Sequence, residues 1–163
     1  MIKLDIRRLN LHSPYYVVQD EEGDLFFITD YGVNYAISFE LNEEILNYPT
    51  YEFGIQNRNH QTSPGDTKLR DTILAIIEEF FTSNGGVMLY ICETGDGMQA
   101  FRFRLFVRWF NNYVHRDRYE LRTVEEVMDD NTPNYGAIIV EKTNPDLELV
   151  LARFDEFAAF LKK

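Results

Sequence analysis

The chain has 163 residues, 45% hydrophobic and 15% aromatic, which is enough to bury one substantial core and too apolar for intrinsic disorder. A formal net charge of -11 and a pI of about 4.7 set most of its surface against polyanionic nucleic acid and anionic membranes. The single cysteine, Cys92, excludes an internal disulfide and a thiol-zinc cluster, and points to a reducing cytoplasm.

The opening "MIKLDIRRLNLHSPYY" lacks the apolar core of a secretory signal, and no segment approaches the roughly 20 apolar residues of a membrane span. Four short runs rich in β-branched and aromatic residues follow, at 15–19, 24–29, 34–40 and 50–57, and read as strands. The first three are joined by "DEEGD" and "DYGV", short polar turns with a glycine, so an antiparallel meander is expected. Between the third and fourth, "LNEEILNYP" reads as a loop in which Asn42 can cap one helical turn.

After the polar break "RNHQTSPGD", Asp66 or Thr67 caps a helix through "TKLRDTILAIIEEFFTS". Leu69, Ile73, Ile76, Ile77 and Phe80 recur at spacings of three and four and form its buried face. Gly85 and Gly86 end it and hand over to a buried strand, "VMLYIC". Asp96 and Gly97 then turn the chain into a second helix from about Met98 to Tyr113.

On that helix Phe101, Leu105, Trp109, Phe110 and Tyr113 share one half of the wheel, which places Arg102 inside the apolar arc and Arg104 and Arg108 outside it. A guanidinium in that position must snorkel out or meet a buried acceptor, with Glu93 and Asp96 nearest in sequence. "RYELRTVEEV" reads as an edge strand, with Thr123 and Glu126 offering a capping box as the alternative. "DDNTPN" is a turn, "YGAIIVEK" a strand, and Asn144 with Pro145 opens a last helix whose stripe is Leu147, Leu151, Phe154, Ala158 and Leu161. The expected fold is one α+β domain over residues 1–163: a mostly antiparallel sheet with about three helices packed on one face.

Enzymatic signatures are weak. A phosphatase loop needs arginine six residues after its cysteine, and that position holds Met98; Cys92 reads as a buried packing residue. His12, His60 and His115 are scattered without ligand spacing, and there is no Walker loop and no G-x-G-x-x-G after a strand. The acidic run "DEEGD" lacks the bidentate glutamate of a calcium loop and reads as a solvated hairpin tip.

The arginines are the remaining signal. Residues 97–116 hold four of them and no Asp or Glu, which leaves a net -15 on the rest of the chain. Structurally, Arg102 ties the strand-to-helix turn to the sheet. Functionally, Arg102, Arg104 and Arg108, with Arg116, Arg118 and Arg122 downstream, line a site for phosphate or carboxylate groups.

Two stretches, "FFITDYGVNYAISF" at 26–39 and "CETGDG" at 92–97 with "RFRLFVRWF" at 102–110, resemble a family of small bacterial proteins of Bacteroidetes type. "NPDLELVLARFDEF" at 144–157 is similar to that family's closing helix. The resemblance carries no assigned activity. It implies that Cys92, Asp96, Gly97, Arg102, Arg104 and Trp109 belong to one motif.

These readings favour a non-enzymatic cytoplasmic protein-interaction or regulatory module with a protein partner. The alternative is a phosphate, nucleotide or RNA binder using Arg102, Arg104 and Arg108 with Asp96 and Trp109; an enzyme built on Cys92 ranks third. No catalytic or metal-ligating residue and no cofactor is assigned, and the acidic balance disfavours nucleic acid and membrane.

Overall fold

A computed structural model of the chain describes residues 2–61, 64–92, 98–127 and 133–161. The described residues form seven strands and four helices, an α+β architecture in which every pairing given below is antiparallel. They divide into two compact units: Met1–Glu40 with Phe53–Gly85, and Leu41–Glu52 with Gly86–Lys163.

The first unit begins with α1 (Ile6–His12), whose N-cap Asp5 accepts a hydrogen bond from the Arg8 amide. Strands β1 (Val18–Gln19), β2 (Leu25–Ile28) and β3 (Asn34–Asn42) form the expected meander. Gly23 and Gly32, at φ 93° and 76°, make the turns that any side chain would strain. β4 (Thr50–Asn57), from Phe53 onward, continues this unit, and Arg58 N donates to Asn34 O at 2.7 Å.

Helix α2 (Thr67–Ser83) starts where Asp66 accepts from the Lys68 and Leu69 amides, and its predicted face of Leu69, Ile73, Ile76, Ile77 and Phe80 is buried. The inward residues of the meander meet that face: Phe39 stacks on Phe80 at 4.8 Å, and Phe27 stacks between Tyr15 and Tyr35. Helix α1 packs on α2, where Glu79, only 5% exposed, takes two hydrogen bonds from the Arg8 guanidinium at 3.0 and 2.6 Å and one from Ser83 Oγ. A buried carboxylate is tolerable when bonded in this bidentate way. Helix α1 is the fourth helix, where about three were expected.

The second unit holds β5 (Val87–Cys92), α3 (Gln99–Asn111), a 3₁₀ turn at Arg116–Arg118, β6 (Tyr119–Val127), β7 (Pro133–Glu141) and α4 (Leu147–Leu161). Its strands run in the order β5-β7-β6, with Leu89 opposite Ile138 and Tyr90 opposite Ala137, and with Leu121 opposite Ile139. Side chains alternate across a strand, so the register sorts them into two faces. Val87, Leu89, Ile138, Val140 and Val124 pack with Val150, Leu151 and Phe154 of α4. Tyr90, Tyr135 and Tyr119 lie on the opposite face, against α3. Two helices thus cover two faces of this sheet, and the expectation that the helices share one face does not hold here.

Helix α4 starts two residues later than Pro145, because Asn144 Oδ1 accepts from Asp146 N and spends residues 145–146 in a turn. Leu147 and Ala158 are partly buried against the core as expected, while the side chain of Leu161 lies outside the described residues. Asn42 accepts from the Glu44 and Ile45 amides, so the 41–49 segment is a capped turn.

Tyr15 anchors the first unit's polar bonds. Its phenol donates to Asp66 Oδ2 at 2.7 Å and accepts from the Asp30 amide, and burial first, then the bond to Asp66, pushes its pKa up to about 12. The folded value lies above the unfolded one, so stability tied to this phenol is complete below about pH 10 and is lost as pH climbs through about 12. Tyr15→Phe is expected to cost about 1–3 kcal/mol at neutral pH and to flatten the alkaline decline of the unfolding midpoint, both read by urea titration across pH.

Candidate functional site

Helix α3 buries Gln99, Phe103, Phe106 and Phe110, four positions within one narrow arc of the wheel. Each phenylalanine meets one tyrosine of the sheet: Phe106 meets Tyr90 of β5 at 4.3 Å, Phe103 meets Tyr135 of β7 at 5.3 Å, and Phe110 meets Tyr119 of β6 at 5.5 Å. Aromatic pairs at these separations add about 0.5–1.5 kcal/mol each beyond the area they bury.

This rotation corrects the expected one. Phe101 and Arg102 are exposed, Leu105 and Trp109 are half-buried, and of the predicted arc only Phe110 is fully inside. Arg102 is thus an exposed residue at the edge of the buried arc and not one enclosed within it. Aromatic and aliphatic residues populate two overlapping arcs of α3, and the three sheet tyrosines select the one containing Phe103 and Phe106. Asp96, together with Glu93 and Gly97, lies outside the described residues.

What α3 turns outward is therefore mixed. Phe101, 58% exposed, and Arg108 lie roughly opposite the buried arc; Arg104 is beside them, and Met98, 49% exposed, and Arg102 flank them. Arg104 reaches Glu125 of β6 at 3.8 Å, with both side chains largely in solvent, a pair worth about 0–1 kcal/mol. Met98 and Phe101 were missed as surface residues, for their apolar character reads as core.

Of the downstream arginines, Arg116 and Arg122 do not extend this surface. Arg116 is spent on the fold: it donates to Asn111 and to Tyr119 O, and its guanidinium sits over the Phe110 ring. Arg122 is on the other sheet face, bonded to Asp155 of α4 at 2.5 Å. Only Arg102, Arg104 and Arg108 share α3, with Trp109 on its flank.

Cys92 ends β5 beneath α3 and is free and buried. Burial pushes its thiol up, and a hydrogen bond with Tyr90 and the charge of Arg102 offset this only in part. Burial, with Cys92 next, also holds the Tyr90 phenol far above its usual range. Neither group is poised to ionise at neutral pH, which is the reverse of what a nucleophile needs. At the 20–24 turn, Asp20, Glu22 and Asp24 cluster within 4.8 Å, but Asp20 Oδ1 already accepts from the Glu22 and Asp24 amides, the ordinary bonding of an Asx turn.

An α+β protein whose second unit carries an arginine-and-aromatic helix is the class this geometry defines. The chain belongs to a family of unknown function (DUF6169), whose model matches residues 65–156, more than half of its length. The matched segment runs from just before α2 into α4 and includes all of α3. Comparison with curated proteins and with solved structures gives no match. Among the described residues no helix is long and apolar enough to cross a membrane.

Truncating Phe103 or Phe106 to alanine is expected to cost about 3–5 kcal/mol, whereas Phe101→Ala stays within about 0.5 kcal/mol of wild type. Urea midpoints decide it, and a costly Phe101→Ala would overturn the helix rotation. Modification of Cys92 by a thiol reagent at neutral pH is expected to be slow and to track unfolding; a fast reaction of the folded protein would show an accessible thiolate.

Proposed function

We propose that this protein is a non-enzymatic interaction module whose docking surface is the outward side of α3 and whose partner is an acidic protein segment bearing apolar side chains. The exposure of Phe101 and Met98 beside Arg102, Arg104 and Arg108 carries the reading. The inner side of α3 is filled by its three tyrosine partners, while Phe101 and Met98 stand 58% and 49% exposed on its outer side. Arginine beside an exposed aromatic ring is the composition that interfaces favour.

Charge complementarity selects the partner. Residues 97–116 carry only positive charge on a chain of net -11, so a carboxylate-rich segment is attracted here and repelled elsewhere. A polynucleotide meets the same arginines, but its regular charge extends beyond α3 and meets the acidic remainder. The setting belongs to the same proposal: a bacterial cytoplasm, consistent with one unpaired cysteine, and a family motif spanning Cys92 to Phe110.

Trp109, the single tryptophan, sits on the flank of this surface and reports on it directly. Titration with a synthetic acidic peptide containing leucine and phenylalanine is expected to shift Trp109 emission, with affinity falling as salt rises. Arg104→Glu with Arg108→Glu is expected to weaken binding more than about tenfold while the unfolding midpoint holds. A silent Trp109, or tighter binding of a single-stranded RNA oligonucleotide at equal salt, would overturn the protein-partner reading.

A further inference from the structure

Strand β6 ends the sheet of the second unit: β7 pairs with one of its edges, and among the described residues no strand pairs with the other. In an antiparallel pair the bonded residues lie directly opposite, and every second residue turns its N–H and C=O away from the neighbouring strand. The register fixes which residues of β6 do so. Just beyond the strand ends Lys142 N donates to Arg118 O at 2.9 Å, so the bonded positions of β6 are the even ones: Glu120, Arg122 and Val124, opposite Val140, Ile138 and Gly136. The backbone groups of Leu121, Thr123 and Glu125 therefore open outward. Tyr119 follows the same parity, for its amide donates to Arg116 O and its carbonyl accepts from the Arg116 guanidinium at 2.7 Å. The 3₁₀ turn thus closes this edge at one end and leaves the rest open.

Native edges are commonly blunted by proline, lysine or a bulge. β6 has nine residues, holds neither proline nor lysine, and keeps an unbroken register from Tyr119 opposite Glu141 to Val127 opposite Pro133. Two of its charged side chains are drawn into pairs with the covering helices, Arg122 with Asp155 of α4 and Glu125 with Arg104 of α3. The helices do not close the edge. Thr123 and Glu125, on the α3 side of the strand, are exposed.

We propose that the acidic segment taken above as the partner of α3 binds as an added strand on β6, its backbone bonded to Leu121, Thr123 and Glu125. Every second side chain of such a strand is presented to α3. Charge selects what it carries. Arg104 leans over β6 to reach Glu125, and Arg108 follows one turn later, whereas the charge of Arg102 is felt by Cys92 of β5 on the other flank. Carboxylates on the added strand meet Arg104 and Arg108, and residues 97–116 offer no Asp or Glu to oppose them. The inference rests on the α3 reading and fixes the conformation in which its partner is held.

The test uses the full chain and the acidic peptide containing leucine and phenylalanine, unmodified and N-methylated at alternate residues along one edge or along the other. N-methylation removes backbone donors and leaves charge and side chains in place. One N-methylated form is expected to lose more than about tenfold in affinity while the other binds as the unmodified peptide does. Amide exchange at Leu121, Thr123 and Glu125, followed by NMR, is expected to slow more than about tenfold on binding, with Arg122 and Val124 little changed. Thr123→Pro removes an outward donor without touching the β7 ladder and is expected to weaken binding with the circular dichroism unaltered. If that variant unfolds, the peptide pair and the exchange rates decide. Equal binding of all forms, loss in both N-methylated forms, or binding without protection of the three amides would overturn the added strand and leave the α3 surface standing. Protection of the same amides that grows with protein concentration alone would assign the edge to a second β6 and overturn it too. No binding by any form would overturn the α3 reading and this inference with it.

Discussion

Three phenylalanines of α3 each seated against a tyrosine from a different strand is the contact on which the second unit depends. β5, β7 and β6 contribute one ring apiece, so the contact requires all three strands in their observed register. A slip of one residue in β6 or β7 turns a tyrosine toward α4 and leaves a phenylalanine facing nothing. The same contact sets the rotation of α3 and therefore which residues reach solvent. The outward side of α3 is, in this sense, a consequence of the core.

The first unit reaches a fixed geometry by different means. Its sheet and α2 share an aliphatic and aromatic core, but polar bonds are what hold α1 and the start of α2 in place. Asp66 serves both as the N-cap of α2 and as acceptor for Tyr15, and Lys68, one residue into the helix, pairs with Asp30 at the meander's second turn. The Glu79 carboxylate does the equivalent for α1 by occupying the Arg8 guanidinium. A helix of seven residues with one buried side chain, Leu9, has little intrinsic stability, and such bonds supply a directional constraint that apolar contact alone lacks.

How far the sequence could be read depended on how many answers each pattern allowed. The α2 stripe was legible because Leu69, Ile73, Ile76, Ile77 and Phe80 fill one arc and charged residues fill the other. The strands were legible because glycine turns bounded short β-branched and aromatic runs. The rotation of helix α3 was not, since Phe101, Phe103, Leu105, Phe106, Trp109 and Phe110 populate overlapping arcs and the choice lies with strand tyrosines 9 to 32 residues distant. Helix α1 was too short to show a period. Arg104 and Arg108 were placed outside correctly, whereas Arg102 and Phe101 inherited the wrong rotation.

Segregation of charge sets the outward side of α3 apart from the rest of the chain. On α3, arginines stand beside rings, so attraction is long-ranged, directional in sign and screened by salt. On the meander, the outward apolar side chains Phe26 and Ile28 are bordered by Asp24 and Asp30, so an anionic group approaching there meets repulsion. A protein of uniform acidity would lack this distinction and would attract cations without preference. Concentrating four positive charges in one segment leaves a net -15 on the rest, so the two parts of the chain attract groups of opposite sign. Discrimination of this kind comes as much from what each face repels as from what it holds.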